Sequence, residues 1–283
     1  MRSRAVFYAL LAALSLSAMT FFAKKVTAQY ESEAIIFWRF IVSLAYSSVI
    51  YKMNPFSFFK KDFIDYQWKM HIIRAISTIA AMWCLAGALK TIAPVTVNTL
   101  NLTHPLFLFV FLLVLGKNRF SFFSFAACLA GFLGIYFVLS PSFFTSDYSG
   151  YVLAVLSGFF TALSYLIIYS MSAEKSSKEL LYFNSLICAL ICAVILALSS
   201  TSIFRRDDSF SILMVSCLFG SLYQDFIIRS LGLAPPSIPS SLMYSSVLFS
   251  ALMSFNQLSL NFSFFAGIVF ISISGIMVSF RKV

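Results

Sequence analysis

Apolar runs as long as a membrane-spanning helix follow one another along the whole chain, separated by short polar breaks. A helix needs about 20 predominantly apolar residues to cross the hydrocarbon core of a bilayer. Such runs predict ten transmembrane helices at 4–24, 33–52, 71–90, 95–115, 120–140, 148–170, 179–201, 209–229, 236–256 and 261–280. These spans and their loops use nearly all of the 283 residues, which leaves no length for a soluble catalytic domain. The sequence therefore predicts an all-α integral membrane protein.

The composition supports this class and argues against a nucleic-acid partner. Only 11% of the residues are charged and 60% are hydrophobic, which leaves too little polar area to cover a globule in water. The net charge of +10 comes from basic residues placed between apolar runs rather than clustered on a soluble face. We therefore interpret the charge as a determinant of membrane topology, with the lipid bilayer and a small molecule as the expected partners.

The basic residues are distributed unequally between the two sides of the predicted membrane. If the N-terminus is cytoplasmic, five basic residues lie outside, at 24, 25, 90, 205 and 206. Fourteen lie inside, at 2, 4, 52, 60, 61, 69, 74, 117, 119, 175, 178, 229, 281 and 282. Because cytoplasmic loops are enriched in Lys and Arg, this bias predicts that both termini are cytoplasmic.

The two halves of the chain, 1–143 and 144–283, resemble each other in the order of their features. The small residues of the first span have counterparts in the sixth, and Ala93-Pro94 before the fourth span has a counterpart in Ala234-Pro235 before the ninth. Five spans are an odd number, so the second half must enter the membrane from the opposite side. The sequence thus predicts a 5+5 inverted repeat with a shared cavity near the membrane midplane. We expect spans one, three, four, six, eight and nine to line it.

Ionisable residues inside spans are candidate functional residues, because burying charge in a membrane is costly. Arg39 either ties helices together through backbone carbonyls or contacts a substrate. His104 either relays protons or bonds carbonyls freed by the neighbouring Pro105. Asp225 either forms an i, i+4 ion pair with Arg229 or binds a cationic group of the cargo.

Motifs for other chemistry are missing from the sequence. It contains no Gly-rich nucleotide-binding loop ending in Lys-Ser or Lys-Thr, no cluster with metal-ligand spacing and no nucleophile paired with a base. We therefore expect no enzymatic activity and no cofactor. Transport by this chain would use a gradient of substrate, counter-substrate or ion.

Short sequence strings place these features in a known context. They are Phe37-Trp38-Arg39-Phe40 in the second span, Ile92-Ala93-Pro94-Val95-Thr96 before the fourth, and Pro105 within it. In this order the chain resembles the EamA-like ten-helix branch of the drug/metabolite transporter superfamily. With His71-Ile72-Ile73-Arg74, it is most similar to the S-adenosylmethionine transporters of intracellular bacteria. It departs from many relatives in having Gly116-Lys117 and Asn256-Gln257 where they carry Gly-Glu.

The resemblance implies a multi-pass protein of a bacterial inner membrane that takes up S-adenosylmethionine, plausibly in exchange for S-adenosylhomocysteine. Aromatic faces suit the sulfonium and the adenine, and amide groups suit the ribose and the adenine. The expected substrate-binding residues are Trp38, Arg39, Trp83, Asn98, Asn101, His104, Tyr165, Tyr223, Asp225 and Tyr244. The alternative is an exporter of amino acids, nucleobases or drugs with the same fold. The oligomeric state does not follow from the sequence.

Overall fold

The computed structural model describes residues 2–52, 67–115, 122–139, 148–172, 175–199 and 209–253, and the single positions 263, 266, 267, 269, 270 and 273. These residues lie almost entirely in helices. The helices are α1 (Arg2–Val26), α2 (Ser32–Tyr51), α3 (Gln67–Thr91), α4 (Pro94–Asn101), α5 (His104–Val114), α6 (Phe122–Leu139), α7 (Ser149–Met171), α8 (Ser177–Leu198), α9 (Ser209–Leu233), α10 (Ser237–Leu242) and α11 (Ser245–Met253).

Seven of the described helical stretches are long and apolar enough to cross a membrane. They coincide, within a few residues at each end, with predicted spans one to four and six to eight, and α6 coincides with span five. The chain is therefore a multi-pass α-helical membrane protein. Most of the tenth predicted span, 261–280, lies outside the described residues, so the count of ten spans stays a prediction.

The fourth predicted span, 95–115, is divided into two helices next to Pro105, the residue at which the sequence predicted freed carbonyls. α4 ends at Asn101 and α5 begins at His104. Pro105 explains the break, because its ring clashes with the carbonyl four residues earlier, which belongs to Asn101, and because it has no N–H to donate. The chain passes the break in a tighter turn, in which the Thr103 N–H donates to the Leu100 carbonyl at 3.1 Å.

The ninth predicted span is broken at the corresponding place, by a turn at 243–244 between α10 and α11. Here serine hydroxyls take part instead of proline. Ser241 donates to the Ile238 carbonyl at 3.0 Å, and Ser245 donates to the Leu242 carbonyl at 2.7 Å. Such side-chain bonds offer the backbone an alternative to the helical pattern. Both broken spans thus follow an Ala-Pro pair.

The helices pack in pairs that correspond between the two halves. α1 packs along α9, and α3 packs along α7. α2 packs on α8 and α9, while α8 packs on α2 and α3. α1 contacts the broken helices α10 and α11, as α7 contacts the broken helices α4 and α5. Exchanging the halves therefore converts each of these packing pairs into another of them.

Small residues on α1 and α7 bring each of these helices close to a break in the other half. An added Cβ at Gly158 would lie 2.5 Å from Thr103 Oγ1 and 2.8 Å from the Asn101 carbonyl. On α1, the Ser17 hydroxyl donates to the Ser246 carbonyl at 2.7 Å. Such close approach matters because helices in a membrane associate through close packing and hydrogen bonds, without a hydrophobic driving force.

Candidate functional site

A small cavity lies inside the bundle between α2 and α3 of the first half and α7 and α9 of the second. Its volume is about 50 Å³, enough for a few water molecules. Its lining residues are Arg39, Phe40, Thr78, Ala81, Met82, Thr161, Ser164, Tyr165, Ile168, Tyr223, Gln224 and Ile227. Of the six spans predicted to line the shared cavity, spans three, six and eight line this one, and so does span two, which was not among the six.

Arg39 brings a buried positive charge into this central cavity. The residue is 3% exposed. Its Nη2 donates to the Gly220 carbonyl and, at 3.4 Å, to Gln224 Oε1. Within the part of the chain that the structure describes, Nε and Nη1 have no hydrogen-bond partner. Because Nε carries one N–H and Nη1 carries two, a majority of the five guanidinium donors are unused.

Gly220 makes this position of Arg39 possible. A Cβ added at Gly220 would lie 2.1 Å from Arg39 Nε and 2.7 Å from Cζ. Such distances are far below van der Waals contact, so any larger residue would force the guanidinium away. Glycine at this point of α9 is therefore explained by the arginine that passes over it.

Hydroxyl pairs from neighbouring helices complete the polar wall of the cavity. The Tyr165 and Tyr223 hydroxyls lie 2.9 Å apart, joining α7 to α9. Thr78 and Ser164 have hydroxyl oxygens 3.2 Å apart, joining α3 to α7. Together with the Gln224 amide and the tyrosine rings, these groups can hydrogen-bond to polar atoms and pack against planar or cationic ones. The sequence analysis missed Thr78 and Ser164, because isolated hydroxyl residues in long apolar runs carry no distinctive signal.

The acidic side chains that the structure describes are all engaged away from Arg39. Glu31 pairs with Lys90, Glu33 accepts from Trp83, Glu179 forms a capping box with Ser176, and Asp225 pairs with Arg229. Within the described part of the chain, the buried charge of Arg39 therefore has no carboxylate counter-ion. Hydrogen bonds to a carbonyl and an amide only partly compensate such a charge.

Asp225 lies in a second polar cluster, which joins α9 to α2. Its Oδ1 accepts from Arg229 Nε at 3.0 Å, and its Oδ2 accepts from Arg229 Nη2 at 2.9 Å. Tyr46 donates to Oδ2 at 3.0 Å, and Tyr51 donates to Oδ1. Arg229 also donates to the Tyr51 hydroxyl, and its guanidinium lies 5.5 Å from the ring centroid of Tyr8 on α1. Each carboxylate oxygen thus has two donors, which favours the ion-pair interpretation of Asp225.

Three predicted residues lie at the first helix break rather than on the central cavity. Asn98 Nδ2 donates to Thr20 Oγ1 at 2.8 Å and to Ser250 Oγ at 2.6 Å. Asn101 Nδ2 donates to Ser157 Oγ at 2.8 Å. His104 Nδ1 lies 3.0 Å from the Asn101 carbonyl, the group that Pro105 deprives of its helical partner. This contact agrees with the structural interpretation of His104.

The remaining predicted aromatic residues lie elsewhere. Trp38 is half-buried and packs against Phe210 with ring centroids 5.2 Å apart. Tyr244 is buried in the main hydrophobic core at the second break. Trp83 is half-exposed and lines a separate, open and mostly apolar cavity of about 480 Å³ between α2, α3 and α8. Of the ten predicted site residues, the central cavity brings together Arg39, Tyr165 and Tyr223.

Comparisons with known proteins agree with this architecture. Among 29 matching chains of solved structure is one described only as the crystal structure of a protein, with a TM-score of 0.76 and 16% sequence identity. The match covers 98% of this chain and 96% of the other, so the two share a fold over nearly their whole length. Among curated proteins, none matches the sequence. In the comparison with protein families, residues 3–140 of this multi-pass membrane protein match the EamA-like transporter family.

Proposed function

We propose that this chain is a secondary transporter that moves a small metabolite by alternating access, with the central cavity as its binding site. The observation that carries the proposal is the position of the Arg39 guanidinium. It lies on a cavity whose walls come from both halves of an apolar helical bundle, and among the described residues it has no carboxylate partner. Ionisable groups in such positions mark substrate or ion pathways, and the match of residues 3–140 to a transporter family points to the same class.

The two halves form a 5+5 inverted repeat in this proposal, divided as 1–143 and 144–283. The support comes from the breaks in the fourth and ninth spans and from the main packing pairs, which correspond when the halves are exchanged. Two equivalent halves can adopt exchanged conformations, which opens the same site to one side of the membrane and then to the other.

The size of the central cavity indicates a closed state. A volume of about 50 Å³ is far below the roughly 300–1,000 Å³ of small-molecule sites. The cargo therefore enters only when the helices around the cavity separate. The α3–α7 pair and the α1–α9 pair pack tightly within themselves and meet across the cavity through weaker contacts. Opening between these pairs would enlarge the site without unpacking either one.

S-adenosylmethionine is the proposed cargo, in exchange for S-adenosylhomocysteine, on the basis of the sequence resemblance. The groups around the cavity suit such a molecule, since tyrosine rings can pack on the adenine or the sulfonium and Gln224 can bond to ring nitrogens or ribose. The proposed location is a bacterial inner membrane with both termini cytoplasmic, as the distribution of basic residues favours.

Counterflow in proteoliposomes tests the function and the cargo together. Vesicles containing the purified protein and loaded with S-adenosylhomocysteine should accumulate radiolabelled S-adenosylmethionine faster than vesicles without protein. Tyr223→Phe should slow this uptake, whereas the matched control Tyr136→Phe, on the exposed surface of α6, should not. Uptake of amino acids, nucleobases or drugs in its place would correct the cargo. A chain that moves none of these solutes is not the proposed transporter.

The orientation is tested separately by labelling single cysteines, in a background without the natural cysteines, with a reagent that does not cross membranes. A cysteine at Tyr148, between α6 and α7, should react in intact cells. A cysteine at Lys175, between α7 and α8, should react only after the membrane is opened. The opposite pattern would reverse the assigned topology.

A further inference from the structure

We propose that Arg39 binds the carboxylate of the cargo, so that the protein recognises its substrate through an anionic group rather than through a positive one. This proposal rests on the proposed transport function, because it concerns the same cavity. It restricts the cargo to one chemical class, small metabolites that carry a carboxylate.

The first step is the state of the Arg39 side chain. A guanidinium prefers carboxylate partners, since its donors form a planar fork that matches two carboxylate oxygens. Arg39 is 3% exposed, and its Nε and Nη1 have no partner. A buried positive charge with unused donors on a cavity is a preformed site for an anion.

The second step is the origin of the counter-charge. The four acids that the structure describes pair with other groups, as set out above. A carboxylate brought by the cargo would supply the missing counter-ion and use the free donors at the same time. Binding would then relieve the cost of the buried charge only when an anionic ligand is present.

The third step separates Arg39 from a second arginine with a similar bonding pattern. Arg74 on α3 is also fully buried, with Nη1 donating to the Leu180 carbonyl at 2.7 Å and with Nε and Nη2 unpartnered. It does not contribute to the lining of the central cavity. Arg74 therefore provides a matched control for the removal of a buried guanidinium.

The chemistry of the proposed cargo pair fits an anion-binding site. S-adenosylmethionine and S-adenosylhomocysteine have the same amino-acid carboxylate and differ in the charge at sulfur. A site centred on Arg39 would accept both, as exchange requires. A site centred on a carboxylate such as Asp225 would instead favour the sulfonium form, but the oxygens of Asp225 are already occupied.

The experiment measures binding of S-adenosylmethionine, S-adenosylhomocysteine and decarboxylated S-adenosylmethionine to the purified protein. Arg39→Gln should weaken the two carboxylate ligands about tenfold or more, which is about 1.4 kcal/mol, and should weaken the decarboxylated ligand much less. Arg39→Lys keeps the charge but loses the planar fork of donors, so its affinity for the carboxylate ligands should be intermediate. It also provides a second test if Arg39→Gln misfolds. Arg74→Gln should leave the preference for carboxylate ligands unchanged. Equal weakening of all three ligands by Arg39→Gln, or the same change in preference with Arg74→Gln, would overturn the proposal.

A second measurement keeps this proposal separate from the identity of the cargo. Sodium acetate should raise the melting temperature of the wild-type protein more than the same concentration of sodium chloride, and Arg39→Gln should abolish that difference. If the wild type binds no adenosyl ligand but shows this acetate effect, the proposed cargo is wrong, whereas the anion site at Arg39 is supported. If acetate has no advantage over chloride, or stabilises Arg39→Gln equally, the anion site is wrong.

Discussion

Two charged side chains are buried between α2 and α9, and the protein surrounds them in opposite ways. Asp225, from α9, has two donors on each carboxylate oxygen, from Arg229, Tyr46 and Tyr51. Arg39, from α2, has a backbone carbonyl, a long bond to an amide and two nitrogens without partners. The difference indicates a division of tasks, since a charge with all its partners stabilises the fold and a charge that lacks them is available to a ligand.

The largest expected effect is a loss of stability on removing the charge of Asp225. Asp225→Asn removes the negative charge that faces Arg229 and replaces one acceptor oxygen with an NH2 donor, which faces two donor groups. Breaking a buried ion pair from one side costs about 3 kcal/mol or more, so the melting temperature of the purified protein should fall by several degrees. The relative affinities for carboxylate and decarboxylated ligands should stay the same. A stable Asp225→Asn protein that binds S-adenosylmethionine more weakly but S-adenosylhomocysteine as tightly as before would reverse the two roles.

Removing the charge of Arg39 should change the stability in the opposite direction. Arg39→Met removes a buried charge that has no counter-ion among the described residues, and it keeps a long apolar side chain. The protein without ligand should therefore gain stability, by about 2 kcal/mol. Thermal unfolding without ligand measures this gain, and the variant should no longer be stabilised by carboxylate ligands. Destabilisation as large as that of Asp225→Asn would show that Arg39 is a structural residue.

Moving Arg39 without changing its charge should have a smaller effect. A methyl group at Gly220 would overlap Arg39 Nε and Cζ, so Gly220→Ala should displace the guanidinium from the cavity. We expect the affinity for carboxylate ligands to fall roughly tenfold, about 1.4 kcal/mol, as measured by titration calorimetry. Gly232→Ala is the matched control on the same helix, since a Cβ there makes only ordinary contacts. Unchanged affinity in Gly220→Ala would contradict the assigned position of the binding group.

Removing one hydroxyl from the saturated cluster should cost less again. Tyr46→Phe deletes one donor to Asp225 Oδ2, while Arg229 Nη2 remains bonded to that oxygen. The expected loss is about 1 kcal/mol of unfolding free energy, measured by thermal unfolding beside Tyr136→Phe on the exposed face of α6. A loss comparable to that of Asp225→Asn would mean that the cluster depends on Tyr46 rather than on the ion pair.

The smallest expected effect comes from an ion pair outside the spans. The hydrogen bond from Lys90 and the charge of Lys90 hold the pKa of Glu31 below its ordinary value. A lowered pKa stabilises the folded state above the ordinary pKa of Glu, and this contribution disappears as the pH falls through the lowered value. Glu31→Gln should therefore lower the melting temperature slightly at pH 7 and not at strongly acidic pH. An effect as large as that of the buried pair would contradict the expected screening by solvent.

The helix bundle could be predicted from the sequence because the membrane imposes a simple rule. Apolar runs of sufficient length correspond to helices, and the ends of the long ones were found within a few residues. The helix breaks were not predicted, because a hydropathy pattern is insensitive to single lost hydrogen bonds. Pro105 was noticed without the conclusion that the helix ends at Asn101, and the break at 243–244 depends on serine hydroxyls that are common in membrane helices.

The candidate site was predicted less completely, for a geometric reason. Whether a polar residue faces a cavity or a neighbouring helix depends on the rotation of its helix, which the sequence of an apolar helix hardly determines. Of the predicted residues, Arg39, Tyr165 and Tyr223 line this cavity, whereas Asn98 and Asn101 bond to neighbouring helices. The role of Gly220 could not be inferred at all, because it depends on an arginine far away in the sequence.

The break between α4 and α5 also has a consequence for the synthesis of the protein. α4 has eight residues, about 12 Å of helix, and cannot cross a hydrocarbon layer of about 30 Å by itself. The amides of Asn98 and Asn101 on α4 bond to Ser250 and Ser157, which the ribosome adds much later. Until then these amides lack those partners, and an unsatisfied polar group in lipid costs several kcal/mol. α4 and α5 together are long enough to span the membrane, but the amides of α4 gain these two partners only after the second half of the chain has been made.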